Sequence, residues 1–196
     1  MMWVFQRKRK IFHARRGGFT IIELMLVVGI LGLMATIAIP TMLRFQLRAK
    51  VAEGRTNLAA IHKAEESYFA EYGRYVSAQP VPSLVAGPQT QPWGLAPADS
   101  HGFNTIGFAP EGRLYFQYGV TSDGGSALTI AARSDADGDS AFNVWGYVKP
   151  VAGTAAGVPG PFGICSPTGV IDPVSRAPMR LHLFGPCDST SGTSTF

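Results

Sequence analysis

Three groups of residues could do chemistry. The first is Glu23, the sole carboxylate between Phe19 and Ile39, a run that reads FTIIELMLVVGILGLMATIAI. Placing a carboxylate inside hydrocarbon costs about 3 kcal/mol on insertion scales, and such residues tend to be functional. A cation meeting that acid in a low dielectric would pair with it strongly. The second group is Asp135, Asp137 and Asp139, in DADGDS. Carboxylates at spacing two can converge on a hard cation such as calcium. An EF-hand needs Gly at loop position six and Glu at twelve; Ser140 and Gly146 stand there, so the run is not one. A solvated acidic turn and an Asp-rich hairpin bend remain open readings. The third group is Cys165 and Cys187, with no CxxC and no His or third Cys at zinc spacing. In an exported chain they would form a disulfide worth about 3 kcal/mol, and otherwise two buried thiols.

Little else suggests a site. His13, His62, His101 and His182 are isolated and read as surface or satisfied histidines. Glu65 and Glu66 read as a solvated helix face. No GxSxG, Walker loop or GxGxxG is present, so catalysis has no foothold. The aromatics Trp93, Phe103, Phe108, Tyr115, Phe116, Tyr118, Phe142, Trp145 and Tyr147 mostly fall at strand alternation, which suggests packing rather than a sugar- or DNA-binding face. Six of the 17 basic residues lie in the first 18 positions with no acid among them. The remaining 11 face 13 acids, a balance of −2, so the basic pI describes only the tail. No strong nucleic-acid binding is expected.

The element that holds Glu23 has three readings. A secretory signal has an apolar core of about 7–15 residues and a small-x-small cleavage site. Here the apolar run is 21 residues long, ends in Ala38-Ile39-Pro40 and lacks a clear Ala-x-Ala. A plain membrane anchor fits the length, because about 20 helical residues cross the hydrocarbon core. The basic flank would stay in the cytoplasm, with residues 41 onward outside. Neither reading explains Glu23.

The third does. RRGGFTIIELMLVVGILGLMATIAIP, residues 15–40, resembles the class III signal of type IV pilins and pseudopilins. The resemblance implies that prepilin peptidase cuts between Gly18 and Phe19. Phe19 would become the first mature residue and be N-methylated; Glu23 would be the fifth and Pro40 the twenty-second. It further implies that Glu23 meets the liberated Phe19 amine of a neighbouring subunit during assembly. Pairing within one helix, at spacing i, i+4, is equally open from the residues.

Beyond Pro40, Leu43, Leu47, Val51, Leu58, Ile61, Tyr68 and Tyr72 fall mostly at spacings of three, four or seven. They form an apolar stripe on a chain of good helix formers. One helix from Phe19 to Tyr72 is expected, about 80 Å long, kinked or loosened at Pro40 and capped by Gly73. Gly29, Gly32 and Gly54 are its weak points. Residues 76–100, rich in Pro, Gly, Ser and Gln, read as a surface loop. Phe103–Ala109, Arg113–Val120, Ala127–Arg133 and Phe142–Val148 read as strands, with turns at 109–112 and 123–126. They predict an antiparallel meander with one face free for the helix stripe. Residues 149–164 form another loop, and the final DSTSGTSTF is expected to fray.

The expected organisation is a leader at 1–18 that is removed, a helix at 19–72 and a globular β domain at 73–196. The helix divides into a transmembrane part, 19–39, and an amphipathic part, 40–72. The fold class is α+β. The resemblance makes it the type IV pilin fold, a long N-terminal helix on an antiparallel sheet with a disulfide-bounded C-terminal region. It implies a structural, non-enzymatic subunit of a type IV pilus, or else a pseudopilin of type II secretion. The implied partners are other pilin subunits, prepilin peptidase, the pilus assembly platform and, before assembly, the inner membrane. No cofactor is implied beyond possible calcium at Asp135, Asp137 and Asp139.

Overall fold

The computed structural model describes residues 17–84, 87–94, 101–172, 175, 177 and 180–191. The basic run and most of the leader, residues 1–16, and the last five residues lie outside these. The chain divides into two compact units, Met1–Leu43 and Arg44–Phe196.

Helix α1 spans Ile21–Tyr72. It ends as expected, because Gly73 takes φ +68° and donates its N–H to Phe69 O at 2.8 Å. In the first unit the helical side chains are exposed and mostly apolar, from Ile21 to Leu43. Pro40 sits within the helix and has no N–H for the Thr36 carbonyl. Two threonine hydroxyls add bonds to nearby carbonyls: Thr36 Oγ1 to Leu33 O at 2.5 Å and Thr41 Oγ1 to Ile37 O at 2.8 Å.

In the second unit α1 buries Val51, Gly54, Leu58, Ile61 and Glu65. The steps of three and four residues define one face. Full burial of Leu58 and Ile61 contributes roughly 2 kcal/mol each. Leu43 and Tyr72, assigned to the stripe from sequence, are more than half exposed. Gly54 is the point of closest approach. A Cβ there would lie 2.9 Å from the Phe116 ring, so the glycine lets sheet and helix pack directly.

The sheet has five antiparallel strands in the order β1 (Ala78–Val81), β4 (Gln117–Ser122), β5 (Leu128–Ser134), β6 (Asn143–Lys149) and β7 (Phe184–Pro186). A separate two-stranded piece pairs β2 (Gln91–Pro92) with β3 (Arg113–Leu114). Alternation works as read: Leu128, Ile130, Ala132, Trp145 and Tyr147 join Leu58 and Ile61 in one core. The opposite face is not left to solvent. Ala131, Val144 and Val148 pack there against Cys165, Val170 and Cys187, so the C-terminal segment makes a second core.

Three expectations for the sheet region change, and one strand was not anticipated. Part of the supposed loop at 76–100 is strand β1, an edge strand, where Pro80 interrupts no ladder on its free side. Phe103–Ala109 is not a strand; it overlaps the short helix α2 (His101–Thr105). Its local bonds, Ile106 N to Gly102 O at 3.3 Å and Phe108 N to Phe103 O at 2.9 Å, leave Phe103, Ile106 and Phe108 buried. Arg113–Val120 breaks into β3 and β4, because the Tyr115 N–H turns to Glu53 Oε1 at 3.0 Å instead of a neighbouring strand. Strand β7 has no apolar alternation in sequence. It is strand because it pairs with β6, Gly146 opposite Gly185.

Candidate functional site

Glu23 lies in the first turn of α1, and its surroundings follow from the residue three positions earlier. Thr20 N and Thr20 Oγ1 donate to Glu23 Oε2 at 3.1 and 2.9 Å, and Glu23 N donates to Thr20 Oγ1 at 3.2 Å. This reciprocal arrangement is a capping box, which satisfies two otherwise orphaned N–H groups. It explains why the helix starts at Ile21 rather than Phe19. Threonine followed three residues later by glutamate, ahead of an apolar run, is a readable signature that the sequence reading missed. Both bonds fall on Oε2, so Oε1 keeps its capacity to accept another donor. Gly17, Gly18 and Phe19 precede the helix in non-helical conformation, and Phe19 is 95% exposed. Pro40 stands in the same helix at the other end of the apolar run.

Asp135, Asp137 and Asp139 follow β5. Each offers a carboxylate oxygen, and the three lie within 4.8 Å of one another, close enough for a single divalent ion. Asp135 also accepts from Gly138 N at 2.9 Å and Ser140 N at 3.3 Å, and Asp139 accepts from Ala141 N at 2.7 Å. These bonds brace the turn from within. Lys50 of α1 ties the same loop to the helix by donating to Ala136 O at 2.9 Å.

The acids of α1 depart from a solvated face. Glu65 is fully buried. Its Oε2 accepts from Val76 N at 3.1 Å, fastening the end of α1 to the segment entering β1, while Oε1 has no partner. Burial, helped by the charge of Glu66 and opposed by the Val76 bond, pushes its pKa up to about 7. Burial likewise raises Glu53, against the opposing bonds from Tyr115 and Tyr118. Glu66 stays half exposed and gathers Lys149 Nζ at 2.8 Å, Tyr75 OH at 2.9 Å and His62 Nε2 at 3.4 Å. His62 packs on Tyr147 with ring centroids 4.2 Å apart. It is thus neither isolated nor satisfied, contrary to expectation: its Nε2 is buried and, among the described residues, lies near Glu66 without a hydrogen-bond partner.

Cys165 and Cys187 form a disulfide with Cα atoms 4.7 Å apart. The bridge lies directly over β6. A Cβ on Gly146 would stand 2.6 Å from Cys187 Sγ and 2.7 Å from Cys165 Sγ, so no larger residue fits beneath it.

Residues 13–39 match the prokaryotic N-terminal methylation motif. The chain is 39% identical over 114 residues to the type IV major pilin protein PilA of Myxococcus xanthus (strain DK1622), covering 58% of this chain and 41% of that protein. It is 42% identical over 60 residues to a fimbrial protein of Pseudomonas aeruginosa, covering 31% of this chain and 39% of the relative. Similarity to the type II secretion system core protein G of Pectobacterium carotovorum is 30% over 79 residues, covering 40% of this chain and 51% of the relative. The chain thus spans about two fifths to one half of the length of the curated relatives it matches. No solved structure shows a significant match. A methylation motif on an exposed apolar helix, a carboxylate in its first turn, and an antiparallel sheet stapled by a C-terminal disulfide point the same way: the chain is similar to type IV pilins and pseudopilins.

Proposed function

We propose that this chain is a structural subunit of a type IV pilus, as a major or minor pilin, that polymerises through the first half of α1. The carrying observation is the apolar surface of residues 19–43. Ile21, Ile22, Leu24, Met25, Leu33 and Ile37 are all more than 60% exposed, a surface that demands lipid or other helices around it. The subunit is anchored in the inner membrane by residues 19–39 before assembly and then becomes part of a surface filament. Prepilin peptidase cuts between Gly18 and Phe19, a bond in an exposed, non-helical stretch, and Phe19 is N-methylated. Glu23 is the assembly acid: its Oε1 is free to receive an ammonium group while Oε2 stays with Thr20. Pro40 marks where the apolar part of α1 ends. The pilus assembly platform adds subunits, and motility, adhesion or DNA uptake belongs to the filament. Likeness to a type II secretion core protein supports a second reading, a pseudopilin of a short periplasmic filament serving protein export.

Mass spectrometry of filaments sheared from the cell surface tests both readings. A chain beginning at methylated Phe19 is expected in the filaments. Its absence from them while it is processed in the membrane favours the pseudopilin, and a different N-terminus overturns both. Glu23→Ala is expected to insert and be cut normally yet assemble poorly.

A further inference from the structure

Arg133 is held in the sheet by a buried amide and two aromatic rings. It stands in the sheet opposite Gln117 of β4 and Val144 of β6. Its Nε–H donates to Gln117 Oε1 at 2.8 Å, and Gln117, 2% exposed, is itself fixed by donating Nε2 to Pro82 O at 2.5 Å. The guanidinium lies 4.4 Å from the centroid of the Phe162 ring and 5.4 Å from that of Phe142. Both contacts are within cation–π range and limit where the group can move.

A guanidinium carries five N–H donors, and among the described residues only one is used here. Among the described residues no carboxylate lies within 4 Å of Arg133, whereas Arg180 is paired with Asp172 and Lys149 with Glu66. Its position is half-buried. Burial lowers its pKa, the direction taken by a cation that has lost water without gaining a counter-charge. A fixed, half-dry guanidinium with its outer fork unused has the geometry for two parallel N–H···O bonds.

We propose that Arg133, steadied by Gln117 and flanked by Phe142 and Phe162, is a binding site for a single carboxylate. The planar fork matches a planar anion, and the neighbouring rings leave little room around it for a second, hydrated charge. Polyanions are disfavoured, because Asp135, Asp137 and Asp139 follow within six residues and are exposed or half-exposed. The carboxylate can come from an acidic side chain of a second copy of this chain or from a free carboxylated molecule.

The test uses the full-length chain in detergent micelles, with arginine guanidinium resonances followed by NMR. Sodium acetate is titrated against sodium chloride at constant ionic strength and pH 7. The resonance of Arg133, identified by its loss in Arg133→Lys, is expected to shift saturably with acetate and not with chloride. Half-saturation is expected between about 10 and 100 mM, the range for one charge-assisted pair in a partly desolvated site. Phe162→Leu keeps the charge and is expected to weaken acetate binding several-fold. Equal, unsaturable shifts with both salts overturn the proposal, as does an acetate shift that Phe162→Leu leaves unchanged. Solid-state spectra of assembled filaments distinguish the sources: an acetate response lost on assembly means a neighbour's carboxylate fills the site, and a retained response means a free ligand. The micelle titration stands or falls independently of whether the chain forms pili.

Discussion

Replacing Glu65 by glutamine removes the one fully buried acid of α1 without changing its shape. The pKa of Glu65 is raised from the usual 4.5 to about 7, with burial the largest cause. A raised carboxyl favours its protonated form in the folded state, so ionisation works against folding. Between pH 4.5 and about 7 the unfolded chain has released this proton and the folded chain has kept it. Stability should therefore fall by about 1.4 kcal/mol per pH unit across that window and level off above it. The full penalty is about 3 kcal/mol at most, since water reaching the site screens the charge. Below pH 4.5 the protonated acid and the amide are near-equivalent, because both can accept the Val76 N–H bond. Glu65→Gln is thus expected to match the wild type within about 1 kcal/mol at pH 4.5 and to exceed it by about 1–3 kcal/mol at pH 8. The assay is urea unfolding of the full-length protein in detergent, followed by fluorescence of buried Trp93 and Trp145. Glu53, also raised, contributes equally to both proteins and cancels in the difference. Parallel stability curves for the two proteins from pH 4.5 to 8 would refute the reasoning.

Two further outcomes can be measured on the same protein. Gly54→Ala gains about 1 kcal/mol of helix propensity but drives a methyl to 2.9 Å from the fully buried Phe116 ring, which costs about 1–3 kcal/mol, so a net loss near 1 kcal/mol is expected in urea midpoints. A gain in stability would mean that the ring moves freely. Calcium titration calorimetry should give at best millimolar binding that Asp137→Asn abolishes, because three of the carboxylate oxygens in the cluster already hold backbone N–H groups. Micromolar binding would show that the turn yields those bonds to the ion.

How legible this molecule was depended on the range of the interaction. The end of α1 at Gly73, the apolar face through Val51, Leu58 and Ile61, and the alternation of β5 and β6 are local patterns, and the chain states them directly. Burial of Glu65 was not legible, because the residue is polar and only the arriving Val76 amide makes its position tenable. The break at Tyr115 depends on Glu53, 62 positions away. The three residues of β7 have no pattern of their own; the partner strand makes them a strand. The second core followed from the C-terminal segment lying over Gly146, a glycine that looks ordinary until both sulfurs are seen above it. At the candidate assembly segment, Glu23 was conspicuous for being charged among apolar neighbours. Thr20 is small and common, and so its hold on Glu23 went unread.

Strand β1, with proline at its third position, bears on how the open sheet avoids pairing with a second sheet. Sheets with open rims tend to stack rim to rim into irreversible aggregates. Here one rim carries Pro80 and has α2 so close to it that a Cβ on Gly102 would lie 2.3 Å from Ser77 O. At the other rim the Ile171 amide already occupies Pro186 O at 2.8 Å. With each rim partly covered, edge-to-edge pairing of this sheet with another is disfavoured.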